Sequence, residues 1–335
     1  MHIESTTPVA GVETRTIDMV PEHERHGAPR SQFTLWFGAN MQITAVVDGA
    51  LAIVFGAEAL TAIVGLLIGN VLGGIVMALH SAQGPRLGLP QMISSRVQFG
   101  VRGAALPLVL VILMYLGFAA TGTVLSGQAI NRIFGVAAPE FGILVFGSLT
   151  ALVAVVGYRL IHVVGRIATV VGILGFGYLV SMGVALLASA DFLNNFKNFV
   201  LLLLAVFVPW SAVNLVDYYL VSKEKVDIPA LYDCNGRYGA YNPVALGCYV
   251  LGVVVQIPFL NQAMYKGPIA TMLGGADVSW IVSLVVTCLV YYPLAKRTMK
   301  VPATMIYPQG AVRPGSAPTA HPTAPVATSE ARQPA

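Results

Sequence analysis

The sequence predicts an all-α, polytopic membrane protein of about eight transmembrane helices. Three observations carry this. Hydrophobic residues make up 56% of the 335-residue chain and charged residues 10%, where an ordinary soluble domain is roughly 25% charged. The mean hydropathy is +0.75, and the charges are bunched, so long stretches carry none, as a hydrocarbon solvent requires. Finally, the lysines and arginines fall between the apolar stretches in an alternating pattern.

A span needs roughly 20 apolar residues to cross about 30 Å of hydrocarbon. Eight segments qualify: 33–56, 59–80, 104–128, 141–157, 165–189, 197–220, 244–262 and 276–295. The first two are so close together that a tight helical hairpin is expected. The fourth is near the lower length limit. Residues 1–32 are polar and form an N-terminal tail with no apolar core of signal-peptide length. Residues 33–295 form the membrane domain, and 296–335 a cytoplasmic C-terminal tail. From 301 onward the tail is rich in Pro, Ala and Thr without an apolar period, which predicts disorder.

Placing the N-terminus inside puts Arg15, Arg25, Arg30, Arg86, Arg96, Arg102, Arg159, Arg166, Lys223, Lys225, Arg237, Lys296, Arg297, Lys300, Arg313 and Arg332 on the inner side. Only Arg132, Lys197 and Lys266 remain outside. This bias predicts both termini in the cytoplasm of a plasma-membrane protein. The net charge of +4 is explained by that placement and needs no nucleic-acid partner. The partners expected are the bilayer and a small molecule.

Chemistry is sparse. No nucleophile–base–orienter set and no phosphate-binding loop is visible, so an enzyme is not expected. Cys234, Cys248 and Cys288 have the spacing of neither a metal site nor a disulfide framework. His80 and His162 lie at inner span ends and read as interfacial residues. Gly65, Gly69 and Gly73 recur on one face of the second span and predict close helix packing. Asp233-Cys234-Asn235-Gly236 predicts a turn.

The first span is the most informative. Gly38, Asn40, Met41 and Gln42 sit mid-span, where polar groups facing lipid are costly. Either the helix is interrupted here, freeing backbone groups for an ion or substrate, or it is intact and its amides bond neighbouring helices. Asp48 lies deep in the same span, where a carboxylate is by default functional. In the third span Tyr115, next to Gly117 and Phe118, is either core or a stacking surface for a planar ligand. Asn214, Asp217 and Tyr218 share a face beyond Pro209, which should kink the sixth span; a structural role is favoured there.

Four stretches together resemble the nucleobase:cation symporter-1 family, the purine, cytosine, allantoin and hydantoin permeases. They are Glu24-Arg25-His26-Gly27 with Trp36-Phe37-Gly38-Ala39-Asn40-Met41-Gln42; Gly84-Pro85-Arg86-Leu87-Gly88-Leu89-Pro90-Gln91-Met92 with Ser95-Arg96-Val97-Gln98-Phe99-Gly100; Pro209 to Leu220; and Gly274-Gly275-Ala276-Asp277-Val278-Ser279-Trp280. The resemblance implies two inverted five-helix repeats, as in the bacterial leucine transporter, plus two further helices. It implies alternating access for a planar heterocycle, usually coupled to Na⁺ or H⁺, and no other cofactor. On the matching positions, Gln42 and Tyr115 are the expected substrate contacts and the backbone at Gly38 and Met41 the expected cation ligands; the polar and aromatic residues beside them, Asn40, Asp48 and Phe118, complete the expected substrate site. Ala119 stands where some members carry Gln. The family has twelve spans and this chain eight, so helices six to nine are missing, with the junction near residues 188–192. The expected function is therefore a heterocycle permease impaired by internal truncation. The alternative is a non-transporting truncated membrane protein or assembly partner.

Overall fold

The computed structural model describes residues 17–25, 28–41, 45, 49, 51–53, 56–156, 158–182, 190–262 and 265–308. Among these residues the architecture is helical, with two isolated β-bridges and no strand. Eight helices of twelve or more residues follow one another: α1 (Pro29–Asn40), α2 (Ala59–Ser81), α3 (Ala105–Phe134), α4 (Pro139–Val156), α5 (Tyr158–Met182), α6 (Ala190–Leu215), α7 (Pro243–Val255) and α8 (Ser279–Thr298). Each overlaps one of the eight apolar segments. Four stretches, Ala59–Leu87, Ala105–Phe134, Phe196–Val221 and Ser279–Thr298, are long and apolar enough to cross a membrane, and three shorter apolar helices accompany them. The chain is a multi-pass membrane protein. Its many exposed large apolar side chains, such as Leu67, Val71, Leu113 and Leu174, are the surface that a bilayer solvates.

Helix ends follow local chemistry. Gly56 (φ 86°) stops the first span: its N–H bonds Ile53 O, and the Ala57 N–H reaches back to Ala52 O, the paired closure of a left-handed helix cap. Asn242 caps α7, its side-chain oxygen accepting from the N–H groups of Val244 and Ala245 at 3.1 and 3.4 Å. The α3–α4 hairpin is pinned by Asn131, whose Oδ1 accepts from Gly142 N at 2.9 Å while its amide donates to Ala138 O at 3.0 Å. Asp233–Gly236 turns as expected, with Gly236 N donating to Asp233 O at 3.0 Å.

Packing is uneven. A core of Phe99, Trp210, Val213, Val216, Tyr249 and Tyr291 joins α6, α7 and α8. A second core, including Leu87, Ile93, Val97, Tyr218, Ile228 and Leu231, lies beneath one end of the bundle. That end is assembled from four segments the charge pattern puts on one side. Val20 N donates to Gly88 O at 2.8 Å, Val101 N to Gly239 O at 2.9 Å, and Ile228 N to Ile306 O at 3.0 Å. Arg96 donates to Leu231 O at 3.1 Å, and the Tyr232 hydroxyl to Ile17 O at 2.6 Å.

Two expectations change. The tail was expected to lose structure from residue 301, yet 301–308 is described and packed: Ile306 bridges Asp227, and Met305 and Tyr307 pack on the second core. Three apolar side chains in a Pro- and Ala-rich stretch suffice when a ready-made surface accepts them. The glycines of α2 do not pack: nothing lies within 4 Å of where a Cβ at Gly65, Gly69 or Gly73 would be. Among the described residues α2 buries only Ala62 and His80, so its small-residue face has no partner helix.

Candidate functional site

Of the two readings left open for the first span, an interrupted or an intact helix, the structure shows α1 ending there. α1 stops at Asn40, and Met41 leaves helical geometry at φ −81°, ψ 60°. Its N–H closes on Phe37 O and Gly38 O, each at 3.2 Å. The Asn40 side-chain amide folds back to donate to Trp36 O of its own helix at 2.8 Å. The break is held in place by α5. Gly38 is buried, and a Cβ there would run into Gly165 O and the Thr169 hydroxyl. That hydroxyl lies 2.8 Å from both Thr34 O of α1 and Gly165 O. The Met41 side chain fills the space above Gly172. Gly165, Thr169 and Gly172 thus form a small-residue groove that receives α1. Their spacing of four and three residues was the signal available in the sequence.

The expected site residues occupy different interfaces. Gly38 and Met41 face α5. Phe118 on α3 meets Phe196 and Phe199 of α6 edge-on, at ring-centroid distances of 6.3 and 5.4 Å. Tyr115, one turn away, is 65% exposed. Asn40 is exposed and bonded to its own helix. Gln42 and Asp48 lie outside the described residues.

A polar network that the sequence pattern undervalued fills the end of the bundle near the second core. His80, expected at an interface, is buried and stacks on Trp210 with centroids 5.0 Å apart and planes 6° from parallel. The Gln91 amide donates to His80 Nδ1 at 2.7 Å, which leaves the proton on Nε2, 3.2 Å from Ser211 Oγ. Trp210 Nε1 donates to Ser95 Oγ at 3.4 Å. Gln83 donates to Asn214 Oδ1 at 2.8 Å, and Asn214 donates to Gln98 Oε1 at 3.4 Å. Beyond Asn214 the helix widens into a π-turn, Val216–Val221. This turn carries Asp217, which is fully buried. Its two carboxylate oxygens accept from Ser222 Oγ at 2.7 Å and Tyr291 Oη at 2.8 Å. Gln91, Ser95, Gln98, Trp210, Ser211, Asn214 and Asp217 come from the motifs quoted above, whose polar residues within apolar surroundings were the visible signal, whereas His80, Gln83, Ser222 and Tyr291 lie outside them. The network ties the loop after α2 to α6 and α8, and the buried polar groups give that junction one arrangement.

Comparison with known proteins identifies the scaffold. The family described as permeases for cytosine/purines, uracil, thiamine and allantoin matches residues 19–177 and 166–283. The putative purine-cytosine permease YxlA of Bacillus subtilis (strain 168) is 28% identical over 443 residues, covering 86% of this chain and 97% of that relative. An alignment of 443 residues against a chain of 335 leaves at least 108 positions of that relative without a counterpart. The purine-cytosine permease FCY22 of Saccharomyces cerevisiae is 33% identical over 45% of this chain and 29% of its own length, and the vitamin B6 transporter TPN1 of the same yeast is 24% identical over 72% and 44%. This chain therefore spans less than half the length of those yeast relatives. No solved structure gives a significant match. These relatives are transporters, not enzymes, and the shared motifs run from before α1 into α8. The chain belongs to the family of permeases for cytosine/purines, uracil, thiamine and allantoin.

Proposed function

We propose that the chain is a permease for a nucleobase or related planar heterocycle, of the cytosine, purine, uracil, allantoin or hydantoin class. It works by alternating access with Na⁺ or H⁺ in the plasma membrane, both termini cytoplasmic. The observation that carries this reading is the end of α1 at Met41, in mid-span, seated in the α5 groove. A broken helix inside a bundle offers backbone and amide groups to a ligand that lipid would not. Asn40 and Gln42 flank the break, and on this reading Gln42 bonds the ligand, Tyr115 and Phe118 offer it aromatic surface, Asp48 balances charge, and the Gly38 and Met41 backbone holds the cation. The names of the relatives support the substrate class.

The missing segment bears on how well it works. At least 108 positions of the Bacillus relative have no counterpart, and Tyr115 is two-thirds exposed. A stacking aromatic without an opposite wall binds weakly, so transport by the chain alone is impaired. The same two observations favour the second reading, a non-transporting truncated protein or assembly partner.

Uptake of labelled cytosine and uracil into proteoliposomes, with and without Na⁺ and with an imposed pH gradient, tests both. Slow, cation-dependent uptake supports the impaired permease. Vigorous uptake removes the impairment. No uptake, with no binding across a panel of nucleobases, allantoin and hydantoins, favours the second reading.

A further inference from the structure

Asp217 is a carboxylate with no solvent-accessible surface, placed where α6 gives way to its π-turn. The ion pairs Arg86–Glu224 and Arg237–Asp227 do not involve Asp217. What reaches it is neutral: Ser222 Oγ at 2.7 Å and Tyr291 Oη at 2.8 Å, with the Gln98 amide also facing it. The titratable groups around it are the phenols of Tyr291 and Tyr238 and, behind Tyr291, the Cys248 thiol; none carries positive charge. A buried carboxylate keeps a full negative charge in an apolar bundle only at a cost of several kcal/mol or more. Charge compensation must come from outside the protein's own side chains.

We propose that Asp217 is a cation-binding site, taking one singly charged cation, H⁺ or Na⁺, between the carboxylate, Ser222 and Tyr291. A proton sits on a carboxyl oxygen, with one hydroxyl turning to accept from it. A sodium ion takes the carboxylate together with the Ser222 and Tyr291 oxygens, whose hydrogens turn away. A lone carboxylate among hydroxyls suits a hard monovalent ion and lacks the several charged ligands a divalent ion demands. The setting suits an exchanging ion. π-Turns are rare and concentrate at functional sites. Ser222 is followed at once by exposed Lys223, so the site lies one residue from solvent on the inner side. Lys223 and Glu224 hold positive φ, 48° and 63°, a conformation non-glycine residues adopt at some cost. The site is separate from the α1 backbone at Gly38 and Met41. That it couples transport rests on the permease reading; that it binds a cation does not.

The full-length chain, purified into lipid nanodiscs, tests this in two arms. If the cation is sodium, NaCl replacing choline chloride raises the unfolding temperature saturably, and the rise disappears in Asp217→Asn. If it is a proton, sodium has no such effect, and infrared spectra at neutral pH show a protonated-carboxyl band that shifts in D₂O and is missing from Asp217→Asn. Tyr291→Phe keeps the carboxylate and removes one oxygen; it weakens sodium binding by about tenfold or moves the carboxyl band, and it serves also if Asp217→Asn does not fold. A chain with neither a sodium response nor an Asp217-dependent carboxyl band overturns the site. So does an unchanged response in Tyr291→Phe. Absent uptake with intact cation binding counts against the permease reading alone.

Discussion

The Gln256 side-chain amide donates to Ala205 O at 2.6 Å, and Ala205 lies four residues before Pro209, which is inside α6. A proline cannot supply the N–H that its i−4 carbonyl needs. Gln256, from the end of α7, supplies it across the helix interface, so the carbonyl that a proline strands in one helix is satisfied by a side chain of another.

Replacing Gln256 by Leu leaves a buried carbonyl unpaired. The expected cost is about 1–3 kcal/mol of stability, read as a lower unfolding temperature in nanodiscs. The same change in a Pro209→Ala background costs less, because the restored helical N–H takes the carbonyl. Equal costs in the two backgrounds would sink this account of the Gln256 bond.

Gly38→Ala puts a methyl group against Gly165 O and Thr169. Overpacking of this kind destabilises by about 1–3 kcal/mol and pushes α1 out of its groove. Gly65→Ala, where nothing lies within 4 Å, leaves stability unchanged or raises it by up to about 1 kcal/mol. Thermal unfolding of the two variants side by side checks the contrast.

The loop assembly around the second core should weaken at high pH. Burial pushes the Tyr238 phenol up to about 12, and its oxygen accepts from Asp227 N at 2.8 Å. Because this value exceeds the ordinary one of about 10, the unfolded chain loses the proton first. Stability is therefore fully present below pH about 10 and falls as pH rises toward about 12. Tyr238→Phe, followed by circular dichroism through an alkaline titration, should flatten that part of the decline.

The ligand site has its own test. On the proposed function, Gln42→Ala weakens heterocycle binding by about 1–3 kcal/mol through a lost hydrogen bond. Tyr115→Ala costs about 1–3 kcal/mol if a base stacks there. Equilibrium binding of labelled ligand decides. Unchanged affinity in both variants moves the ligand elsewhere.

The sequence by itself determined the solvent and the succession of apolar helices. Apolar segments of bilayer length and alternating basic loops are local properties, legible without knowing what touches what. The motifs that place the chain among the permeases were equally visible, because they are contiguous; in the first span the polar residues near Gly38 and Asn40 were visible, but whether the helix breaks there was not. Only the tertiary structure decided which small and polar residues have partners. Gly38 meets α5 while Gly65, Gly69 and Gly73 meet nothing; His80 leaves the interface to stack on Trp210; Met305 and Tyr307 anchor a segment that by composition should be loose. Hydropathy is summed along the chain, but a hydrogen bond or a close helix crossing depends on residues that are distant in sequence, such as Gln256 and Ala205 or Asp217 and Tyr291, and on the packing that brings them within 3 Å of each other.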